Sequence, residues 1–527
     1  MNRSFVVNKT IFSKILIALI LFAPSAWALD LDWSGKFRTE SHWVLGYTQD
    51  DGATGIDSAR VGEGGYYIPG GGSEDAYFQT LFLNLKPTVI VNDNVYIKSE
   101  WWLGDPLYSF FGSGAPYSTD QRAFNSTSSR GSSITAQRLW GEFLTDVGTI
   151  QVGRMPLHWG LGVVWNDGNQ LFDRYQSTGD AVRLTSKFGA FTFSPALIKY
   201  NMGNSIGGSC PDPTSLASTK PNICNAGSGN GGISDISLGF KYENPDESLD
   251  MGVNFVRRLA GGTQGSSSTG TGLFGVEGNA GGVDGANAPV GINYSMWDIY
   301  TKKQLGPVSL GIEVPVTSGT IGSTAYKTFA IAAEADWKVN DSLNTGLKVG
   351  HSPGQADLDG SPDQFKAFYF NPNYKLGLIM FNYQLSSFAG PNSLNTAGVN
   401  ESSLRSPFDN PIVNAKYLMW RGDYQTNKWS FRTTWIFATA NKVAGTGAKH
   451  FNYWERQFRN RNAAVTQEKA LGWEMDYGTS YFWDDSFRFD LDLGWYFPGD
   501  YYKFSNTLTE NGTDSVFAAV FKVGVSF

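Results

Sequence analysis

The C-terminal run Phe517-Ala518-Ala519-Val520-Phe521-Lys522-Val523-Gly524-Val525-Ser526-Phe527 alternates with a period of two. Phe517, Ala519, Phe521, Val523, Val525 and Phe527 share one face; Ala518, Val520, Lys522, Gly524 and Ser526 share the other. That pattern is a strand with one face toward an apolar phase and one toward water. It recurs along the chain in segments joined by Asn, Asp, Gly and Pro, the residues of tight turns. The expected fold class is therefore all-β.

The spacing predicts a series of hairpins. Leu81–Val91 and Val95–Leu103 meet at Asn92-Asp93-Asn94, and Ile134–Thr145 and Thr149–Leu157 at Asp146-Val147-Gly148. Ala181–Phe188 and Ala190–Tyr200 meet at Gly189, and Ile233–Glu243 and Leu249–Ala260 at Asn244-Pro245-Asp246-Glu247. Gly291–Leu305 and Val308–Val316 follow, then Phe329–Val339 with Leu343–His351, Pro411–Tyr424 with Lys428–Ala440, and Leu471–Tyr481 with Phe487–Phe497. The other connections, such as 48–75, 104–133, 201–232, 261–290 and 385–410, are long and rich in Gly and Ser. Short turns at one end and long loops at the other are the asymmetry of a transmembrane, antiparallel, up-and-down barrel of the bacterial outer membrane. With Asp30–Tyr47 first and Ser515–Phe527 last, the expected strand number is 18 to 20. The uncertainty lies in Phe365–Phe370 and Tyr374–Gln384, which Asn371-Pro372-Asn373 would join as a hairpin. An even number places both termini at the short-turn, periplasmic end.

The N-terminus fits export. Arg3, Lys9 and Lys14 precede the apolar run Ile15–Phe22, and Ala26-Trp27-Ala28 is an A-x-A cleavage site. Residues 1–28 are expected to be a cleaved signal peptide, leaving 29–527 as a single barrel with long external loops. Leu29 rather than a Cys directly follows the cleavage site, so a lipoprotein anchor is not expected. No later apolar run is long enough for a membrane helix. Aromatics make up 15% of the chain and charged residues only 17%, where soluble domains carry about 25% charged. The net charge of -7 disfavours nucleic acid.

A barrel of this size leaves room for an aqueous lumen. Alternation places Asn84, Lys86, Lys98, Glu100, Lys241, Asn254 and Glu313 on the water side. The pore-lining candidates are Arg138, Glu142, Arg154, Arg183, Lys187, Arg258, Glu334, Asp336, Lys348, Lys416, Arg432, Glu474, Asp476, Arg488, Asp490 and Asp492. Charges of both signs on one face make a polar wall, in which many pair across strands. The segment Gly153–Gly168 is apolar, aromatic and Gly-rich, unlike the other loops. Two readings stand: it folds inward and narrows the pore, with Arg154, His158 and Asp167 near the constriction and Trp159 and Trp165 as further candidates, or it packs on the rim.

Two stretches carry a family resemblance. Leu471-Gly472-Trp473-Glu474-Met475-Asp476-Tyr477 and Leu491-Asp492-Leu493-Gly494-Trp495-Tyr496-Phe497-Pro498-Gly499-Asp500 resemble the closing strands of alginate-export-type outer-membrane proteins. Ile150-Gln151-Val152-Gly153-Arg154 with Trp159-Gly160 is similar to the Gly-Arg strand of such porin-like barrels. The resemblance implies a monomeric barrel of about 18 strands that passes an anionic polysaccharide. The final strand ending in Phe527 resembles the assembly signal of outer-membrane barrels, which implies the barrel-assembly machinery as a partner, beside outer-membrane lipid and lipopolysaccharide.

Cys210 and Cys224, the only cysteines, lie in one long loop, and export crosses an oxidising compartment. A disulfide between them is expected. The histidines are His42, His158, His351 and His450. His158 with Asp167 is the one tempting local pair, and no nucleophile motif accompanies it, so no catalytic residues are assigned. Asp357–Asp363 is acidic but lacks the Glu that completes an EF-hand loop. No metal or cofactor is expected. The leading expectation is a channel for ions or small hydrophilic solutes; the alternatives are polysaccharide export and a closed surface barrel with binding loops.

Overall fold

The computed structural model describes residues 30–47, 75–104, 106, 134–200, 233–260, 292–321, 324–355, 364–383, 385, 408, 410–443, 450–452, 457–459, 467–503 and 512–527. The expected signal peptide, Cys210, Cys224, the 261–290 loop and Asp357–Asp363 lie outside the described residues.

Eighteen antiparallel strands close into one barrel, at the lower end of the expected range. They are β1 (Asp30–Leu45), β2 (Ala76–Asn92), β3 (Val95–Leu103), β4 (Ile134–Thr145), β5 (Gly148–Pro156) and β6 (Thr178–Phe188). Then come β7 (Phe191–Lys199), β8 (Ile233–Asn244), β9 (Leu249–Ala260), β10 (Ile292–Leu305) and β11 (Val308–Ile321). β12 runs as Thr324–Phe329 and Ile331–Lys338, followed by β13 (Leu343–Ser352), β14 (Ala415–Gln425) and β15 (Trp429–Ala440). β16 (Ala470–Phe482), β17 (Phe487–Pro498) and β18 (Val516–Ser526) complete the wall. Each strand pairs with its sequence neighbours, and β18 returns to β1 in the register Lys36↔Ser526 to Leu45↔Phe517. At this seam Gly35 and Phe527 exchange backbone hydrogen bonds of 2.8 and 3.1 Å. A Cβ on Gly35 would come within 2.6 Å of both the Phe527 ring and Asn84 O, so only glycine lets the ends close.

Prolines sit where the ladder opens. β2 pairs β3 through Leu85↔Trp101 and resumes at Thr88↔Lys98; the gap spans Pro87, which has no N–H to give. Opposite Pro315 the pairing of β11 and β12 breaks at Ala330, which keeps one bond, Ala330 N–H to Pro315 O at 3.0 Å.

Alternation sorts the side chains. Leu31 and Trp33, Trp297 and Ile299, Leu418 and Trp420, Phe431 and Phe437, and Leu491 and Phe521 are exposed on the outer face. Leaving so many large apolar groups in water is unfavourable by roughly 25 cal/mol per Å² of area, so this outer belt suits hydrocarbon. The inner face carries Arg38, Glu40, Asn84, Glu100, Arg138, Asp235, Asn254, Asp298, Glu313 and Glu474, all buried.

Asn371-Pro372-Asn373 closes no barrel hairpin. β13 and β14 already pair with each other, His351 opposite Lys416, which leaves no ladder vacancy between them. Among the described residues between β13 and β14 the one strand is Gln364–Phe365, parallel to Ala325–Tyr326, after which the chain turns into the barrel. A small hairpin, His450–Asn452 with Gln457–Arg459, stands outside the wall sheet.

Candidate functional site

Among the described residues two segments fold into the lumen. The first is residues 157–177, between β5 and β6. Its neck is closed by Leu157 N–H donating to Ser177 O at 3.0 Å and Ser177 N–H to Asn166 O at 2.7 Å. One wing reaches across β8–β11. Trp159 meets Tyr300 edge-on at 5.2 Å and donates its indole N–H to Asp298 O at 3.1 Å. Gly252 makes the space, since a Cβ there would lie 2.7 Å from the Tyr300 ring and 3.0 Å from Trp159. The other wing runs along β4, β2, β1, β18 and β17. Arg138 donates to Asp167 O at 2.7 Å, Lys86 to Asn169 Oδ1 at 2.6 Å and Lys36 to Gln170 O at 2.9 Å. Arg38 then donates to Leu171 O at 2.9 Å and Asp173 O at 2.7 Å. Phe172 ends beneath the Arg488 and Lys522 cations, at 4.8 and 5.0 Å from its ring.

The second segment is residues 364–383, with Leu385. It covers β12–β17 with buried Phe365, Phe368, Phe370, Tyr374, Leu376, Ile379, Met380 and Tyr383. The two segments join each other. Asn371 N–H donates to Val163 O at 2.7 Å, and Asn373 Nδ2 to Tyr175 O at 2.6 Å. With Val44, Phe78, Phe408, Ile412, Tyr417 and Ile436 they form a continuous apolar core inside the barrel.

Charge is organised around this core. Glu40 accepts a hydrogen bond from Arg174 on Oε2 and lies 3.3 Å from Arg38 Nε. The Arg174 guanidinium stacks 3.7 Å over the Phe408 ring. His42 stacks on Phe78 at 4.6 Å and shares a 2.6 Å hydrogen bond with Tyr383 OH. Toward the short turns the lumen opens into a cavity of about 770 Å³, bounded by Phe172, Asp173, Lys375, Arg421, Asp492 and Lys522. Its wall charges are paired: Arg421 with Asp336 and Asp423 at 2.6 and 2.7 Å, Arg432 with Asp423 at 3.1 Å, and Lys522 with Asp492 at 2.6 Å. The lining continues to Pro307, Lys338 and Gln425 at the short-turn rim. Lys375, at the roof of this cavity, donates to Asn382 Oδ1 at 2.8 Å. Burial, reinforced by the nearby Arg174 cation, holds its ammonium down to about 7. A second cavity, about 390 Å³, lies under Trp159 and Trp165 against β6–β9 and is lined by His158, Arg183, Lys187, Lys241 and Glu243.

Among the expected pore-lining residues, Glu142, Arg183, Lys187, Arg258, Glu334, Asp336, Lys348, Arg432, Asp476, Arg488, Asp490 and Asp492 sit on the inner face. Arg183 and Lys187 border the smaller cavity, and Asp336, Lys348, Arg432, Asp476, Arg488 and Asp492 the larger. Arg258 is held by both oxygens of Asp235 at 2.9 and 2.8 Å. Arg138 and Glu474 also point inward, but the inward segments cover them completely and no water-filled space reaches them.

Two assignments are corrected. Gln151 and Met155 face inward on β5, so Arg154 falls on the outer face, 54% exposed and paired with Asp180 at 2.6 Å. On β14 buried Tyr417 and Met419 face inward, which turns Lys416 outward with Leu418 and Trp420. Both corrected residues lie in register with a clear alternation; a charge alone is no evidence for the water side near a strand end. Trp159 and Trp165 are buried in the first segment, and His158 Nδ1 lies 3.7 Å from Asp167 Oδ1. Burial pushes the His158 imidazolium down. The inward reading of this segment, rather than the rim reading, is the observed one.

Sequence reasoning passed over Arg38, Glu40 and His42, although their i, i+2, i+4 spacing on β1 marks them as one face. Arg174 and Lys375 had no such signal, because neither lies on a strand. Among the described residues no cluster of three or more His, Cys, Asp or Glu could hold a metal ion.

No protein-family model matches the sequence, and no curated protein matches it. Among solved structures, the chain is similar to OccK2 (OpdF) of Pseudomonas aeruginosa in complex with glucuronate, at 9% identity and TM-score 0.45, covering 94% of this chain and 97% of that one. It is similar to OccK8 (OprE) of the same organism at 10% identity and TM-score 0.45, over 94% and 98% of the two chains. OmpTdeltaL8, a loop L8 deletion mutant of the outer membrane protein OmpT of Vibrio cholerae, overlaps at 9% identity and TM-score 0.34, over 95% and 100%. At this level of overlap the likeness carries no argument about what passes through this barrel.

Proposed function

We propose that this protein is an outer-membrane channel for ions or small hydrophilic solutes. The carrying observation is the closed barrel of 18 strands with an apolar belt outside and, inside, a charged cavity of about 770 Å³ that reaches the short-turn rim. A protein that only needed to anchor loops would gain little by keeping Arg421, Asp423, Arg432, Asp492 and Lys522 around a wet space, since ion pairs open to water contribute little to stability. Selection would come from the bore left by the two inward segments and from the wall charges. In this reading residues 1–28 are removed on export, the short turns and both termini face the periplasm, and Phe527 serves assembly. Lipid and lipopolysaccharide contact the outer belt.

One observation favours a second reading. The long-loop half of the interior is filled by the apolar core of the two segments. A closed barrel whose long loops bind a partner would look like this at that end. Polysaccharide export rests on the resemblance of 471–477 and 491–500; it calls for a run of unpaired cations, whereas the described cavity wall carries pairs of both signs. Single-channel recording of the refolded protein in a planar bilayer decides between them. Steady ohmic steps support the channel; a silent barrel of verified β-structure overturns it in favour of the closed reading.

A further inference from the structure

Each inward segment meets the wall in a similar way: two backbone N–H groups, adjacent or two residues apart, converge on one buried carboxylate. Glu313 of β11 accepts from Leu161 N–H and, at 3.4 Å, from Val163 N–H, both on Oε2. Glu474 of β16 accepts from Ile379 N–H on Oε1 at 2.7 Å and from Met380 N–H on Oε2. Neighbouring Asp476 accepts from Leu378 N–H at 3.1 Å. Glu313 and Glu474 are both 0% exposed. Convergent N–H groups form an anion cradle, and here the anion belongs to the wall.

We propose that Glu313 and Glu474 are positioning residues: latches that hold the two segments across the lumen and so set its bore. The proposal rests on the channel reading for its effect on conductance, but not for its effect on the segments themselves. The latches differ in chemistry. Glu313 uses one oxygen. Among the described residues no N–H donor reaches its Oε1, and the adjacent buried carboxyl is that of Asp298. A glutamine at 313 keeps an acceptor for Leu161 and Val163 and offers an amide N–H toward Asp298. Glu474 uses both oxygens, so a glutamine at 474 must turn an NH₂ against a backbone N–H. One latch therefore tolerates an amide and the other does not. This asymmetry separates latching from a generic need for bulk, because Gln and Glu have nearly the same volume.

The test is hydrogen–deuterium exchange of the full-length protein in micelles, read at the amides of 161–163 and 378–380, alongside single-channel conductance. Glu474→Gln is expected to speed exchange at 378–380 by about tenfold or more, the change that about 1.4 kcal/mol of lost hydrogen bonding gives, and to leave 161–163 unchanged. Glu313→Gln is expected to leave 161–163 as protected as in the parent, while Glu313→Ala releases it. Conductance should rise in Glu474→Gln and Glu313→Ala only. Equal exchange in the parent and Glu474→Gln, or equal release in Glu313→Gln and Glu313→Ala, overturns the latches. A parent that never conducts, with the exchange pattern as expected, overturns the channel reading and leaves the latches standing. Should Glu474→Gln fail to fold, Asp476→Ala supplies the second variant: it removes the acceptor of the Leu378 N–H, so faster exchange is expected at 378, and no change there overturns the latch.

Discussion

The two segments inside the barrel reach the same place from opposite kinds of sequence. Residues 157–177 look unlike a strand: Gly160, Gly162 and Gly168 take positive φ values of 58°, 83° and 72°, which L side chains rarely adopt. Residues 364–383 look like two strands, with apolar residues spaced for Phe365–Phe370 and Tyr374–Gln384. Both are buried within the wall, and both are fixed by its carboxylates. Alternation makes a strand only where a ladder edge is free to receive it. β13 and β14 occupy each other's edges, so the apolar residues of the second segment find burial against the inner wall instead.

The comparison breaks most sharply on deletion. Removing Leu157–Asn169 should raise single-channel conductance severalfold, because this stretch carries the wing over β8–β11; unchanged conductance would mean that the second segment alone sets the bore. Next is Arg174→Ala, at the junction of the segments. It leaves Glu40 in the core with Arg38 as its remaining cation, and breaking the buried Arg174 pair should cost up to about 3–5 kcal/mol, seen as a drop in unfolding midpoint. Trp159→Ala empties a buried indole site and should cost about 3–5 kcal/mol, with the loss confined to the first segment when followed by exchange. Then comes a pH effect on the second segment. Lys375 lies at about 7, so it is neutral above that pH and cationic below it. The charges near it are Arg174, Glu40, Lys522 and Asp173. Anion-over-cation preference, read from reversal potentials, should therefore rise as pH falls through about 7, and Lys375→Met should flatten that step. The smallest effect is expected for Arg154→Ala. Its exposed pair with Asp180 lies on the outer face, so conductance should not change and stability should move by no more than about 0.5 kcal/mol.

Most of the wall was legible. The expected strands Ile134–Thr145 and Leu249–Ala260 coincide with the observed ones, and most others differ by a few residues at an end. Long-loop ends were the least legible: β11 extends to Ile321 and β12 begins at Thr324, where a longer connection was expected. The inner face was legible in the middle of strands and failed at their ends, as Arg154 and Lys416 show. Near the rim both faces of a strand meet water, so polarity no longer distinguishes inside from outside.

By itself the sequence determined the barrel, because alternation is written between residues two apart and every strand repeats it. It also determined which central residues face inward. Only the tertiary structure decided what fills the lumen. The bonds that place the inward segments join residues far apart in the chain, Leu161 to Glu313 across 152 positions and Ile379 to Glu474 across 95. No local pattern encodes such a pairing. It exists because a buried N–H must find an acceptor, and the closed wall is what brings those carboxylates within reach.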